Sequence, residues 1–427
     1  MAVIIFLHII DAFNHNEGSR PLINCLIIRY KSRLHLLMRQ RSIPITAALM
    51  LLASSTTISA SILNDFTDPQ DGMFDVSHWL AEKKGFFPIP IIITEPAVGV
   101  GLGAGLLFLH DPLAGKTAKG ETFEPQSTDA EGRLIPPSIS GLFGAYTEND
   151  SWFIGGAHMG VWKNDNVRYI GVLAQASLNL KFYGLDGGNG PSSNGLQFNI
   201  EPTIFLQELK FRINNSAFFA GFNYLLVDSS VEFSLPGLPV EIPAQTFDST
   251  SASVSLILDY DSRDNLFTPS NGLSSGIKAS FFREIFGSDN EFERYKAYAK
   301  YFTGLGETLV LGLRGEFETL NGNAAFYEYP FISLRGIPVM RYQGDKVTVG
   351  EAELRWNYTT RWSLVVFGGV GKAESIDTLI AADDTVYTKG IGLRYFIARR
   401  FGAHAGFDIA DGPEDTAFYL TFGQAWY

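Results

Sequence analysis

The sequence predicts an all-β protein, a transmembrane antiparallel β-barrel of about 16 strands. Apolar and polar residues alternate in segments of roughly ten residues, a pattern typical of barrel strands with one face toward lipid. Turn-forming residues separate these segments, and no run of 18 or more apolar residues follows residue 60. Charged residues make up 18% of the chain, below the roughly 25% of an average soluble domain.

The N-terminal 60 residues have the order of a secretory signal peptide. A basic stretch that begins at Met38 precedes an apolar core from Ile43 to Ala53, and small residues follow up to Ala60. We therefore expect translation to begin at Met38 and cleavage to fall near Ala60. The alternative is an anchoring helix, but the apolar core is short for a stable membrane span.

The remainder divides into residues 61–86, a short periplasmic segment, and residues 87–427, the barrel domain. We expect the outer membrane of a Gram-negative bacterium as the location and its lipid as a partner. Cys25 is the one cysteine and lies upstream of the expected cleavage site, so the exported chain avoids disulfide chemistry. The net charge of −12 excludes a basic footprint for nucleic acid.

Sixteen predicted strands lie near residues 87–94, 98–109, 138–147, 151–163, 167–182, 196–212, 216–232, 249–260, 273–285, 291–303, 307–318, 347–357, 361–371, 386–397, 402–409 and 417–427. Their connections are mostly short after even-numbered strands and long after odd-numbered ones, which is the pattern of periplasmic turns and outer loops. The stretch from Asp111 to Pro137 is long where a short turn is expected. A soluble β-sandwich or lectin-like domain is the alternative, but it leaves the signal peptide unexplained.

Glycine occupies every second position of one early strand, at Gly99, Gly101, Gly103 and Gly105. Part of this stretch fits a loose dinucleotide-binding pattern, but Pro96 precedes it and apolar residues between the glycines continue the two-residue period of a strand. Such glycines weaken a strand and leave room on its inward face. We expect this strand beside the seam where the barrel closes, with Trp426 and Tyr427 as interfacial aromatic residues on the last strand.

Three stretches carry a family resemblance. The first is a D-x-R-D…P-x-x-G turn after the eighth predicted strand, formed by Asp261, Arg263, Asp264, Pro269 and Gly272. The second is the stretch around Arg335-Gly336, similar to a V-R-G-F loop tip, with five predicted strands after it; the third is the final strand, from Phe418 to Trp426. Together they resemble the BamA/TamA-type surface-antigen family of outer-membrane β-barrels, over about residues 87–427.

The resemblance implies that the sixth outer loop enters the barrel lumen and carries Arg335 with it. In the family an Asp in an F-x-D-x-G strand holds this arginine, whereas this chain has Gly369 two residues after Phe367. A buried guanidinium needs an anion, because unpaired burial costs several kcal/mol. We expect Glu353 to replace the missing Asp, with Glu351 as the second choice. The alternative is that Arg335 lies in a solvated outer loop.

The resemblance also implies a function: insertion or translocation of protein, or of lipid, at the outer membrane through opening of the seam. Residues 61–86 are too few for the periplasmic POTRA domains that usually precede such barrels, so the resemblance is to a branch without them. The implied partners are client polypeptides or a periplasmic protein. We expect no catalytic residue, cofactor or metal site, since no histidine shows nucleophile or metal-ligand spacing. A passive porin-like channel and an outer-membrane hydrolase remain alternatives.

The signal peptide yields a direct prediction. N-terminal sequencing of the protein extracted from membranes should give a first residue near Ser61, because the small residues before it suit the signal peptidase. A chain that begins before residue 50 would contradict the cleavage.

Overall fold

The computed structural model describes residues 66–78, 85–110, 138–183, 195–214, 216–233, 245–265, 267–375, 383–424 and 426. Its architecture is one sheet of 16 antiparallel strands, each paired with its neighbours in chain order, that curls into a nearly closed barrel. The predicted fold class and strand number are therefore confirmed. No helix in these ranges is long and apolar enough to cross a membrane.

The strands, β1 to β16 in chain order, are Gly85–Glu95, Gly99–Leu109, Ile139–Thr147, Trp152–Trp162, Val167–Phe182, Leu196–Arg212, Phe218–Phe233, Gln245–Asp261, Gly272–Phe282, Phe292–Leu305, Leu309–Gly322, Lys346–Asn357, Trp362–Glu374, Asp383–Ala398, Ala403–Asp411 and Thr416–Phe422. Short 3-10 turns follow β9, β11 and β14, at Glu284–Phe286, Phe326–Glu328 and Arg399–Phe401. Most strands begin and end within two or three residues of the predicted bounds.

Alternation along the strands divides the barrel wall into two faces. On β11, Leu313 and Phe317 are each 42% exposed, whereas Arg314 between them is 8% exposed. The apolar side chains thus point outward, toward the position of lipid, and the charged ones point into the lumen. We call the rim where β1 begins and β16 ends the turn end, because most of the short connections lie there, and the opposite rim the loop end.

The long connection between β2 and β3 lies at the turn end. The two strands that it connects are antiparallel neighbours, with Gly101 opposite Thr147 and Leu109 opposite Ile139. The strand count therefore holds despite the length of the connection. The connection itself, residues 111–137, lies outside the described residues.

The seam between β1 and β16 differs from the rest of the wall. The two strands lie side by side, but no backbone ladder joins them within the described strands. β16 has only seven residues, and it ends where Gly423 adopts a φ of 80° and donates its N–H to the His404 carbonyl. This turn directs the chain into the lumen. The prediction that Trp426 is an interfacial residue of the last strand is therefore wrong, since its side chain is buried. Tyr427 lies outside the described residues.

An N-terminal segment, residues 66–78, is fixed to the turn end of the barrel. It folds around Arg361 of the β12–β13 turn, whose side chain is only 1% exposed. Asp68, Asp71 and Asp75 surround this guanidinium with ion pairs of 2.5 to 2.6 Å. The Val76 N–H also donates to the Ile397 carbonyl at the end of β14. The segment therefore covers the β12–β13 and β14–β15 turns.

The charges of this acidic cluster depend on Arg361. Its guanidinium lowers the pKa of Asp71 to about 2 through two hydrogen bonds. Burial opposes ionisation of Asp75, but hydrogen bonds from Arg361 and Ser77 outweigh it and lower that pKa as well. Because the folded-state pKa values lie below the ordinary ones, these contacts stabilise the fold at neutral pH and are lost as the pH falls toward about 2.

Replacement of Arg361 should detach the N-terminal segment from the rim. Arg361→Ala removes the cation that pairs with Asp71 and Asp75 and leaves only Arg399 beside Asp68, and removal of one partner from a buried ionic cluster typically costs about 3–5 kcal/mol. Hydrogen exchange at the Val76 amide should accelerate by at least a hundredfold, while exchange in β5 and β6 stays unchanged. The control is Lys163→Ala, in an exposed position of the β4–β5 turn. Equal protection of Val76 in both variants would contradict the role of Arg361.

Candidate functional site

The β11–β12 connection, residues 323–345, crosses the barrel lumen. At one side Phe326 packs among Phe182, Phe198 and Phe233 of the β5–β7 wall, in tilted and edge-on contacts with ring centroids 4.7 to 5.3 Å apart. At the other side Arg335 reaches the wall formed by β12 to β16, where it is 9% exposed. We call this connection the lumen loop. The solvated position considered for Arg335 is therefore wrong.

Arg335 lies among three carboxylates. Its Nε donates to Glu351 Oε1 at 2.8 Å, and one terminal nitrogen donates to Asp408 Oδ2 at 2.8 Å. Glu353 Oε2 lies 2.8 Å from the other terminal nitrogen, but at an angle that does not form a hydrogen bond. The guanidinium also lies over the Phe367 ring, with its Cζ 3.4 Å from the ring centroid. The structure thus brings Arg335, Glu351, Glu353 and Phe367 together.

The order of the expected partners changes. Glu353 was expected first, yet Glu351 and Asp408 accept the hydrogen bonds of Arg335. Asp408 of β15 was not predicted as a partner. Asp408 thus pairs with Arg335 in place of the missing Asp on β13. At that position of β13, Leu334 of the lumen loop packs on Gly369, where a Cβ atom would lie 2.7 Å from the Leu334 side chain. A side chain at position 369 would therefore require the Leu334 side chain to move.

A sequence signal for Asp408 exists on the neighbouring strand. Gly392 of β14 is its register partner, and a Cβ at that position would lie 1.9 Å from Asp408 Oδ1. An acidic residue whose register partner on the next strand is a glycine is thus a pattern that could have indicated an inward carboxylate, because the glycine leaves space for the carboxylate group. Sequence reasoning could not connect it with Arg335, which lies 73 positions earlier.

The charges around Arg335 extend into a wider network. Arg394 holds the second side of Asp408 through contacts of 2.5 and 2.9 Å. Arg314 bridges Glu316 at 2.9 Å and Glu351 at 3.3 Å, and also donates to the Ser333 carbonyl of the lumen loop. Each buried charge therefore has an opposite charge beside it, which offsets the cost of removing it from water.

Trp426 belongs to this network. Its indole N–H donates to Glu351 Oε2 at 2.9 Å, and its ring lies over Gly312, where a Cβ would be 2.9 Å away. Phe302 lies 5.7 Å from it, centroid to centroid. A predicted interfacial aromatic residue is thus an internal one, because the amphipathic indole finds both an apolar floor and a carboxylate in the lumen.

The lumen loop contacts both sides of the seam. On the β1 side, the Val339 N–H donates to Glu95 Oε1 at 3.0 Å. On the β16 side, the Gly336 N–H donates to the Tyr419 hydroxyl at 2.9 Å. Gly336 adopts a φ of 93° and lies against the backbone of Asp411 and Gly412, so a side chain there would be strained. Where the ladder is absent, the loop joins the two edge strands from inside.

The D-x-R-D…P-x-x-G turn, residues 261–272, enters the lumen from the turn end. Arg263 pairs with Asp261 at 2.9 and 3.0 Å, and Asp264 accepts the N–H groups of Ser270 and Asn271. The Pro269 carbonyl accepts a hydrogen bond from Arg355 of β12. Gly272 has a φ of 113°, and a Cβ there would lie 2.4 Å from the Ser262 carbonyl. The turn is therefore internally braced and leans across the lumen toward β12.

The glycines of β2 face the lumen, with Val100 and Leu102 exposed between them. Cβ atoms at Gly101 and Gly103 would lie 2.3 to 2.6 Å from the nearest atoms of β3. The room that Gly101 and Gly103 leave on the inward face is thus taken by the close approach of β3. β2 pairs with β1 along its whole length, so one strand separates these glycines from the seam.

Comparisons with known proteins bear on this arrangement. The Omp85 superfamily domain matches residues 174–395. Among solved structures, the barrel is similar to BamA from Haemophilus ducreyi lacking POTRA domains 1–3, with a TM-score of 0.50, 12% identity, and 85% of this chain and 81% of that one covered. It is also similar to CdiB from Acinetobacter baumannii, with a TM-score of 0.51, 8% identity, and coverage of 80% and 60%. It is similar as well to CdiB from Escherichia coli, with a TM-score of 0.51, 10% identity, and 78% of this chain and 61% of that one covered. No curated protein matches significantly.

Arg335 should couple energetically to its carboxylate partners. Arg335→Ala leaves Glu351 and Asp408 short of a cation, so we expect a loss of about 3–5 kcal/mol in the free energy of unfolding. In double-mutant cycles with Glu351→Ala, Glu353→Ala and Asp408→Ala, coupling energies of roughly 0.5–3 kcal/mol should appear, smallest for Glu353. Urea unfolding in detergent measures them, and Lys163→Ala provides an additive control. Additivity with all three carboxylates would contradict the network.

Proposed function

This chain belongs to the Omp85 superfamily, and on that premise we propose that it inserts or translocates polypeptide, or lipid, at the bacterial outer membrane. The mechanism is temporary opening of the seam between β1 and β16, where an incoming segment pairs with an exposed strand edge. It uses no catalytic group, cofactor or metal ion. Its partners are the outer-membrane lipid and client polypeptides.

The observation that carries the proposal is how the seam is held. Elsewhere in the wall a backbone ladder joins each pair of consecutive strands. At the seam the side chains of Glu95 and Tyr419 bind the lumen loop instead, each through one hydrogen bond to a backbone N–H. Movement of one loop therefore releases both edges together, whereas any other pair of strands requires a whole ladder to break.

Lipid makes this difference functionally important. An unpaired backbone group costs several kcal/mol in hydrocarbon, so a closed wall of complete ladders does not open spontaneously. The described part of the seam has no ladder, so opening it does not require a set of backbone hydrogen bonds to break. A client strand that supplies backbone partners to β1 would then lower the free energy of the open state, as strand addition does at other sheet edges.

The interior favours this role over passive conduction. The lumen loop spans the barrel from Phe326 to Arg335, and the braced 261–272 turn leans in from the other end. A porin-like channel needs an open aqueous path between the rims. Charged groups of the lumen, among them Arg314 and Asp408, are instead paired with one another and with the loop.

A disulfide across the seam should abolish function. Single cysteines placed along β1 and along β16 are combined until one pair cross-links; Cys25 is the only native cysteine. The oxidised protein should fold, as shown by heat-modifiable migration, but should fail to complement a deletion strain, and reduction should restore activity. The control pair, Phe222→Cys with Leu256→Cys, joins register partners of β7 and β8, away from the seam.

The controls separate the two functions. If the cross-linked seam supports growth as well as its reduced form, the opening mechanism is wrong. Single-channel conductance of the wild-type protein in planar bilayers then tests the porin-like alternative. A large steady conductance that persists with the seam locked would establish a passive channel.

A further inference from the structure

A groove on the outer surface of the barrel has no role in the proposed function. It has a volume of about 560 Å³ and crosses β2 to β6. Its walls are lipid-facing leucines, among them Leu142 at 59% and Leu173 at 60% exposure, and Gly156, the register partner of both, lies on its floor. The groove therefore results from an absence of side chains on an otherwise apolar wall.

One end of this groove is polar. Ser140 Oγ lies 2.8 Å from His110 Nε2 and 2.8 Å from His158 Nδ1, so the three side chains form one hydrogen-bonded chain. Tyr169 donates its hydroxyl proton to Gln207 at 2.5 Å beside it. Polar groups on a lipid-facing wall are costly unless they bind a polar partner, so a second acceptor or donor is expected in the groove.

The hydrogen-bonded chain has one donor and one acceptor at its ends. If Ser140 donates to His158 Nδ1, then His110 donates to Ser140, and the Nε2–H of His158 is the donor at that end of the chain. If the direction is reversed, the distal N–H belongs to His110. With neutral imidazoles, each arrangement offers one N–H at one end and one ring nitrogen acceptor at the other. An N–H at this position suits a phosphate or ester oxygen.

Aromatic residues fix the depth of the polar end. Trp162, 42% exposed, ends β4 at the turn end and stacks on Tyr169 with ring centroids 5.5 Å apart. Such pairs mark the boundary between hydrocarbon and headgroups. From Trp162 to Gly156 the strand runs six residues, roughly 20 Å at about 3.3 Å each, toward the middle of the barrel wall. The polar end thus lies near the glycerol level of the turn-end leaflet, and the glycine floor lies deeper.

We propose that this groove binds one glycerophospholipid of the leaflet at the turn end. An acyl chain lies over Gly156 between the leucines, and the phosphate or ester oxygens accept the N–H at the end of the histidine–serine chain. Lipid already surrounds the wall, so burial of the acyl chain gives no hydrophobic gain. Selectivity comes from the shape of the glycine floor and from the polar contacts.

Binding fits this geometry better than hydrolysis. Ser140 and His158 form a hydrogen-bonded pair of the kind a hydrolase uses, but acyl transfer also needs N–H donors for the developing oxyanion. Ser140 is the second residue of β3, where it is a register partner of both Phe108 and His158, so ladders flank it on both sides. The ladders use the backbone N–H groups around it, so they do not stabilise a tetrahedral intermediate.

The test counts phospholipids bound to the intact protein. The full chain is reconstituted with phosphatidylethanolamine and phosphatidylglycerol, extracted in mild detergent and examined by native mass spectrometry. Gly156→Leu fills the groove floor, where a Cβ meets only the flexible end of Leu142 at 3.1 Å. Ser140→Ala with His158→Phe removes the polar chain but keeps an aromatic ring. Gly315→Leu is the matched control, an exposed lipid-facing glycine of β11 with no atom within 4 Å of its Cβ position.

We expect the wild-type protein and Gly315→Leu to retain one phospholipid and the groove variants to retain about tenfold less, the equivalent of one lost hydrogen bond or more. Equal retention in all variants, or none in any, overturns the proposal. Retention by the Ser140→Ala, His158→Phe protein overturns the headgroup contact, and release of fatty acid by the wild-type protein overturns binding in favour of hydrolysis. If Gly156→Leu does not show heat-modifiable migration, the polar variant decides. None of these results depends on the seam.

Discussion

The burial of Arg335 is the constraint on which the interior of this barrel depends. A guanidinium inside a protein must keep its charge and its hydrogen bonds, because an uncompensated buried ion costs several kcal/mol. Glu351 and Glu353 of β12 and Asp408 of β15 meet that requirement from the inward faces of their strands. Since the arginine is on the loop and the acids are on the wall, satisfying the charge also fixes the loop across the lumen.

The position of the loop decides the character of the seam. Because Arg335 holds the loop against β12 and β15, its neighbours Gly336 and Val339 reach Tyr419 and Glu95 on the two edge strands. The same electrostatic contact therefore fills the lumen and closes the barrel from inside. It also explains why β16 can be short: Trp426 leaves the strand and contributes to the network instead of extending a ladder.

A second arginine cluster stabilises the turn end, with the charges of the wall and of the added segment exchanged. There the barrel supplies the cation, Arg361, and the N-terminal segment supplies three carboxylates. The segment packs on the β12–β13 and β14–β15 turns, close to where β16 ends. The turn end and the lumen side of the seam are thus held by ionic contacts from segments outside the sheet, whereas backbone ladders join each pair of consecutive strands from β1 to β16.

The sequence by itself determined the barrel, the 16 strands and the faces of the strands, because a period of two and the length of a membrane-crossing strand are local properties. It also indicated that Arg335 needs an anion, since charge burial is a matter of chemistry rather than position. Which anion it finds was decided by the tertiary structure. Asp408 is a partner because β14 and β15 place it beside a loop 73 residues away and because Gly392 leaves room for its carboxylate. Trp426 turned inward for a similar reason: Gly423 ends the last strand, and Glu351 with the surface over Gly312 accepts the indole only once the barrel has closed around them.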